Sequence, residues 1–248
     1  VRQVRRMVKR YREEGERGLC HRSRGSSSNR SHGEDVRRGV LDLLRGPLRE
    51  HGATLASEKV AEMMGVAVGR ETVRRWRVEE GLWERRRRRK KHRRRRERKA
   101  HFGELVQMDG SFHDWLGTGV LLCLMVMVDD ATGASLARLY RQETTASALD
   151  ILGRWIALYG IPLELYTDYD TVYLLDREKA CRLRERGEDG LTQFGRVCAR
   201  LGVRLRGASS PQAKGRVERK NAVFQDRFVK ELRLRGIRTI EGANELLD

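Results

Sequence analysis

The spacing of apolar residues divides the chain into a helical front and a mixed α/β back. Apolar residues recur every three or four positions over 1–14 and again between 36 and 80, which predicts one helix and then three shorter ones. A turn bounded by glycines, 65–69, precedes the last of these helices, an order typical of a helix-turn-helix. We therefore expect a helix-turn-helix DNA-binding domain over 31–83, with 1–30 as the remnant of a similar unit and its linker.

The third helix of this domain, predicted over 70–80, would pack inward through Val73 and Trp76 and present arginines to DNA. A small bundle whose arginines are only solvated is the alternative, because the domain holds nine basic and nine acidic side chains. The arginines expected to contact DNA are Arg70, Arg74, Arg75 and Arg77.

Beyond residue 100, strand-like and helix-like apolar patterns alternate. The continuous apolar run 120–128 predicts a buried central strand, and the segment after it returns as a hairpin partner. One strand is expected to end at Asp109, another to deliver Asp168, and a long helix to cover 214–235. The charged stretch 176–190 is predicted to be an irregular, exposed insertion. The order of elements, β-β-β-α-β-α-β-α, indicates an α/β domain.

The positive charge is concentrated before residue 100. The chain carries 53 Lys and Arg against 35 Asp and Glu, a net charge of +18, which favours a polyanionic partner over an acidic partner or an ordinary small-molecule substrate. Residues 1–30 hold ten basic and three acidic side chains and 84–99 hold 13 and two, whereas 100–248 hold 21 of each sign. A basic front is thus joined to an electrically balanced back.

The segment 84–99 is predicted to be an Arg/Lys-rich linker that follows DNA. Like charges at this density repel one another unless a polyanion lies alongside. A solubilising tether, or a helix that only connects two domains, is the alternative. The linker residues expected to contact DNA are Arg85, Arg86, Arg87, Lys90, Lys91, Arg93 and Arg94.

The cysteines and the chain ends indicate part of a cytoplasmic, nucleoid-associated protein. The four cysteines form neither a CxxC pair nor a zinc-spaced cluster, which is typical of reduced thiols. The sequence has no signal peptide and no apolar run of about 18 residues, so no membrane association is expected. Because the chain starts at Val1 and stops within a helix-like pattern, we expect a fragment whose core, 100–248, lacks its C-terminal part.

Three carboxylates of the back half are candidates for a metal site. Asp109 and Asp168 are expected on adjacent strands, and Glu218 in the first turns of the long helix. Two divalent cations about 4 Å apart, held by carboxylate oxygens, can activate an attacking oxygen and stabilise a leaving one in phosphoryl transfer. A lone carboxylate at a strand end is more often only solvated. Three nearby acids are weaker rivals: Asp114, Asp170 and Asp226.

Three segments of the sequence resemble the catalytic blocks of a known family. They are QMDGSFHDW around Asp109, LYTDYDTVY around Asp168 and SPQAKGRVERKNAVFQDRFVKELR around Glu218. Together they resemble the DDE transposases with a retroviral-integrase-like core, and most closely the ISNCY group of bacterial insertion-sequence transposases. The third block is specific, the first two are weak alone, and the resemblance covers nearly the whole chain, including the helix-turn-helix units.

This resemblance implies an RNase H-like core with a mixed five-stranded sheet and two Mg²⁺ or Mn²⁺ ions bound by Asp109, Asp168 and Glu218. It also implies that a homo-oligomer cleaves double-stranded DNA at transposon terminal repeats and joins it to target DNA, without a small-molecule substrate. Lys214 and Asn221 occupy positions where such enzymes place DNA-contacting side chains.

Two other functions stay open. The chain could be a catalytically inactive DNA-binding remnant of a transposase, or a nuclease of the same fold that cuts without joining. Asp170 departs from the family pattern, which more often has a His, Asn or Gly-like residue there, and it adds a negative charge beside Asp168.

Overall fold

A computed structural model of the protein describes residues 2–20, 31–83, 97–208 and 214–248. The chain forms two compact units, Val1–Arg85 and Arg86–Asp248. In the described part, no helix is both long and apolar enough to span a membrane.

The first unit is entirely helical. Helix α1, Arg2–Glu14, ends in a short 3-10 turn at Gly15–Leu19, and α2, α3 and α4 cover Glu34–Arg45, Ala53–Met64 and Arg70–Glu79. These bounds agree with the predicted helices, and α2, α3 and α4 pack against one another.

The core of α2, α3 and α4 is small and apolar. Gly65 ends α3 with a φ of 67°, a left-handed conformation that glycine adopts without steric cost. The turn then leads into α4, which buries Val73 and Trp76 as predicted. The apolar side chains buried with them include Val40, Leu44, Leu48, Leu55, Val60 and Val68.

The second unit is built on a mixed five-stranded sheet in the order β3-β2-β1-β4-β5. The strands are β1 Val106–His113, β2 Leu122–Asp129, β3 Ser135–Tyr140, β4 Glu164–Thr167 and β5 Arg204–Gly207. β2 pairs antiparallel with both β1 and β3, whereas β4 pairs parallel with β1 and with β5. The expected architecture of the back half is therefore confirmed, and β2 is the fully buried central strand that its apolar run predicts.

Five helices accompany the sheet: α5 Thr145–Tyr159, α6 Arg177–Glu185, α7 Gln193–Arg200, α8 Gly215–Leu234 and α9 Ile240–Leu247. Helix α6 corrects the prediction of an irregular insertion over 176–190. The sequence forms a helix there because the Asp176 side chain accepts the backbone N–H of Lys179, which caps the first turn.

Alternating side chains of the strands supply two separate apolar cores. Met108, Met125 and Met127 pack on one face with Trp155 of α5 and Phe194 of α7. The opposite face buries Leu124, Val126 and Leu139 against α8 and α9. This alternation follows from the two-residue period of a strand and places α8 against β1 and β2.

Helix α9 is attached to β3 by one buried amide. Asn244 Nδ2 donates to the carbonyl oxygen of Leu139 at 3.0 Å, and Asn244 Oδ1 accepts the Leu139 N–H at 2.7 Å. Asn244→Ala should therefore leave two buried backbone groups unbonded and lower the free energy of unfolding by about 1–3 kcal/mol. Denaturant unfolding checks this, with Glu245→Ala on the exposed side of α9 as the control. Equal stability of the two variants would contradict the expectation.

Candidate functional site

Asp109 lies in the middle of β1, not at its end as predicted. The strand continues to His113 because residues 110–113 pair with the buried strand β2, which opposes Asp109 with Val126. By the two-residue period of a strand, Asp109 faces α8 together with Gln107 and Ser111. The Asp109 side chain is 17% exposed.

Two side chains at the start of α8 bind the Asp109 carboxylate. Lys214 Nζ lies 2.5 Å from Asp109 Oδ1, and Asn221 Nδ2 donates to Asp109 Oδ2 at 2.8 Å. Lys214 Nζ also lies 3.6 Å from Asp168 Oδ2. Asp168 follows the last residue of β4, the strand parallel to β1. One cationic nitrogen is therefore shared by carboxylates from two neighbouring strands.

Glu218 is one turn beyond Lys214 on α8, and its side chain is exposed. Its negative charge, like that of Asp168, acts on Asp109. The pKa of Asp109 is raised chiefly because burial disfavours its charged form. The charges of Asp168 and Glu218 add to this effect, and Lys214 opposes it. The charges of the other two predicted carboxylates thus both act on Asp109.

A divalent cation at this site would have to be bound by carboxylate and amide oxygens. Among the described residues, no group of three His, Cys, Asp or Glu side chains is placed to hold a metal ion. Asp109 and Asp168 nevertheless already share the Lys214 ammonium, and no described donor reaches the buried Oδ1 of Asn221. Carboxylate and amide oxygens of this kind are the ligands that hard cations prefer.

Gln107 fixes the start of α8 relative to β1. Its Oε1 accepts the backbone N–H groups of Arg216 and Val217 at 3.3 and 3.2 Å, and its Nε2 donates to Asp130 Oδ1 at 2.9 Å. The first N–H groups of a helix have no partner within the helix, so a buried glutamine that accepts two of them anchors that end. The Asp130 carboxylate also pairs with the Arg216 guanidinium at 3.1 Å.

Glu143 is a fourth acid beside the site, and it was absent from the sequence-based predictions. It follows β3 and precedes α5, and its Oε1 accepts the Tyr173 hydroxyl at 2.5 Å. Burial raises the pKa of Glu143, as do the charges of Asp168 and Asp109, against the opposing effect of the Tyr173 hydrogen bond. Its position next to the cap of α5 was the only local signal, because the contact with Tyr173 joins residues 30 apart.

The predicted DNA-binding arginines of α4 differ in exposure. Arg70 and Arg75 are well exposed, and Arg74 lies over the Trp83 ring at 5.2 Å. Arg77 was wrongly expected on the outer face. It is buried, with Nη2 donating to the Arg49 carbonyl at 2.7 Å and Nη1 to that of His51, because it lies next to Trp76 on the inward face of the helix.

The other predicted DNA contacts fall into two groups. Lys214 and Asn221 are nearly buried and contact Asp109, so contact with DNA stays a prediction for both. The linker residues lie outside the described part of the chain: Arg85, Arg86, Arg87, Lys90, Lys91, Arg93 and Arg94.

Replacement of Glu143 by Gln should stabilise the protein at neutral pH. The pKa of Glu143 is raised in the folded state, so ionisation of Glu143 destabilises the fold. This loss of stability is absent below the ordinary glutamate pKa of about 4.3, and it is complete above the folded-state pKa. Glu143→Gln cannot ionise, and its melting temperature should exceed that of the wild type by a few degrees at pH 7.5. The difference should shrink towards zero near pH 4. A constant difference across this range would contradict the assignment.

Two proteins are similar to the chain in sequence, although no protein-family model matches it. The protein y4bF of Sinorhizobium fredii, which its name describes as a transposase, is 38% identical over 249 residues, covering 100% of this chain and 53% of y4bF. The transposase for insertion sequence IS1202 of Streptococcus pneumoniae is 40% identical over 151 residues, covering 60% of this chain and 32% of that protein. The chain thus spans about half or less of the length of these relatives.

Among the solved structures that resemble the chain are two retroviral ones. A chain of the simian T-cell lymphotropic virus intasome, in complex with PP2A regulatory subunit B56 gamma, matches with a TM-score of 0.51 and 18% identity, over 82% of this chain and 66% of that one. The HTLV-2 integrase catalytic core domain in complex with magnesium matches with a TM-score of 0.46 and 20% identity, over 60% and 85%. The chain is therefore similar in sequence to transposases along its whole length, and its fold is that of a chain in a retroviral intasome.

Proposed function

We propose that the protein binds the terminal repeats of a transposon and, with divalent cations held by Asp109, Asp168 and Glu218, cleaves DNA and joins it to a target. The observation that carries this proposal is the Lys214 ammonium, held between carboxylates from two parallel strands. Two carboxylates that already share one positive charge could also share a divalent cation, which phosphoryl transfer requires. The similarity to transposases over the whole chain supports the same reaction.

The side chains of this site would have separate roles in phosphoryl transfer. Bound Mg²⁺ or Mn²⁺ would supply charge stabilisation to the attacking and leaving oxygens of an in-line displacement. Asn221 holds the Asp109 carboxylate in one orientation through its 2.8 Å hydrogen bond. Lys214 has a flexible side chain, so its ammonium can turn from the carboxylates to a DNA phosphate. This movement would reconcile the contact with Asp109 and the predicted contact with DNA.

The first unit would bind DNA through the exposed side of α4. Arg70 and Arg75 are 69% and 66% exposed, and the arginines of a helix that follows a tight turn suit a DNA groove or its phosphates. The basic linker would add affinity with little sequence preference. We expect a homo-oligomer on paired transposon ends, in the cytoplasm with the nucleoid.

Asp109→Asn and Glu218→Gln should each reduce DNA cleavage and strand transfer by about a thousandfold, because removal of a ligand charge removes several kcal/mol of transition-state stabilisation. DNA affinity should remain. Labelled transposon ends, a plasmid and Mg²⁺ provide the assay, and a mobility shift measures binding. Asp226→Asn, an exposed acid two turns further along α8, is the matched control and should stay active.

The products of this assay separate the possible functions. Joined products identify a transposase, cleaved but unjoined ends identify a nuclease, and DNA binding without either product identifies an inactive remnant. Wild-type levels of joining by Asp109→Asn or Glu218→Gln would overturn the proposed metal ligands.

Two neighbouring arginines of α4 should respond differently to alanine. Arg75→Ala should weaken DNA binding several-fold and reduce the slope of log affinity against log salt by about one, without a change in stability. Arg77→Ala should instead lower the free energy of unfolding by about 1–3 kcal/mol, because two carbonyl oxygens lose their donors. Fluorescence anisotropy at several salt concentrations and thermal unfolding test both. Unchanged DNA affinity of Arg75→Ala would exclude this face of α4.

A further inference from the structure

Glu143 lies against β1 and is hydrogen-bonded to the segment that follows Asp168. Its Oε1 accepts the Tyr173 hydroxyl at 2.5 Å, and its Oε2 lies above Gly110, the residue after Asp109. A Cβ atom built on Gly110 would be 2.2 Å from Glu143 Oε2, so a larger residue there would displace this carboxylate. Glu143 therefore lies against Gly110, the neighbour of Asp109 on the opposite face of β1, and is linked through Tyr173 to the chain that follows Asp168.

Tyr173 is firmly attached to the segment 168–174, which we name the Asp168 loop. The Tyr173 N–H donates to the Asp170 carbonyl at 3.0 Å, and the Thr192 hydroxyl donates to the Tyr173 carbonyl at 2.8 Å. Its ring is fully buried and meets the Phe194 ring edge to face at 5.3 Å. A hydrogen bond to the Tyr173 hydroxyl is therefore a bond to the whole loop.

Glu143 is itself fixed by the helix that follows it. Thr144 caps α5: its Oγ1 accepts the Ser147 N–H, and the Ser147 hydroxyl accepts the Thr144 N–H at 2.8 Å. This reciprocal cap sets the backbone next to Glu143. From this fixed backbone, the carboxylate reaches Gly110 of β1 with one oxygen and the Tyr173 hydroxyl with the other.

We propose that Glu143 is a positioning residue that sets the distance between Asp109 and Asp168 by holding the Asp168 loop through Tyr173. The support is needed because Asp168 is 47% exposed and follows the end of a four-residue strand. A carboxylate suits this position because a hydrogen bond from a hydroxyl to an ionised acceptor is stronger than one between neutral groups. The effect on catalysis rests on the proposed function, whereas the effect on the loop does not.

Four variants test the pair: Glu143→Ala, Tyr173→Phe, the double variant and Glu143→Gln. Hydrogen exchange of the backbone amides of 168–174 reports on the loop, and the single-turnover cleavage rate at saturating DNA reports on the site. Glu143→Ala and Tyr173→Phe should each accelerate exchange and slow cleavage by roughly tenfold. In the double variant, exchange and cleavage should change by no more than in either single variant. Glu143→Gln can still accept the Tyr173 hydroxyl, so both its loop exchange and its cleavage rate should stay close to those of the wild type.

Tyr140→Phe is the matched control. The Tyr140 hydroxyl donates to Asp150 at 2.6 Å, which is also a tyrosine–carboxylate hydrogen bond. It joins β3 to α5 and involves none of the proposed metal ligands. Tyr140→Phe should leave loop exchange and cleavage unchanged. Wild-type loop exchange in Glu143→Ala overturns the inference, whether or not the protein cleaves DNA. The inference is also overturned if the rate changes of the two single variants multiply in the double variant. A wild-type protein that is inactive but shows the expected exchange pattern counts against the proposed function alone.

Discussion

The polar contacts between β1 and α8 determine where the candidate site can form. Alternate residues of a strand are about 6.6 Å apart, and residues four apart on a helix are about 6 Å apart, so a strand and a helix can keep matched contacts over several steps. Here three buried or partly buried hydrogen bonds follow this matched spacing. They join Gln107 to Val217, Asp109 to Asn221, and Ser111 to Gln225.

This register explains why the metal-site candidates come from distant parts of the sequence. An apolar contact between β1 and α8 would tolerate sliding, whereas each hydrogen bond is lost when the helix moves by one residue. Because Gln107 holds the first N–H groups of α8, Lys214 must precede the helix beside Asp109, and Glu218 must follow one turn later. Side chains of the same helix are buried in the apolar core and add hydrophobic stabilisation to this contact: Val217, Phe228, Val229 and Leu232.

The sequence predicted what depends on local pattern and missed what depends on tertiary contact. The apolar run of β2 and the periodicity of α5 could be recognised because burial imposes a period on neighbouring residues. β1 was predicted to end at Asp109, but pairing with β2 keeps residues 110–113 extended. Arg77 and Glu143 could not be placed, since arginine is usually exposed and the Glu143 partner is 30 residues away. Helix α6 is an exception, because its N-cap residue Asp176 is a local signal in the sequence.

Charge places opposing demands on the two halves of the chain. The front holds the excess of basic side chains. In the core, burial raises the pKa of Asp109 and of Glu143, and the charges of neighbouring acids, Asp168 among them, add to this effect. Lys214 reduces this repulsion, and its ammonium is the group that must give way if a divalent cation enters. Repulsion among these acids costs stability, so a cation that neutralised them would stabilise the fold.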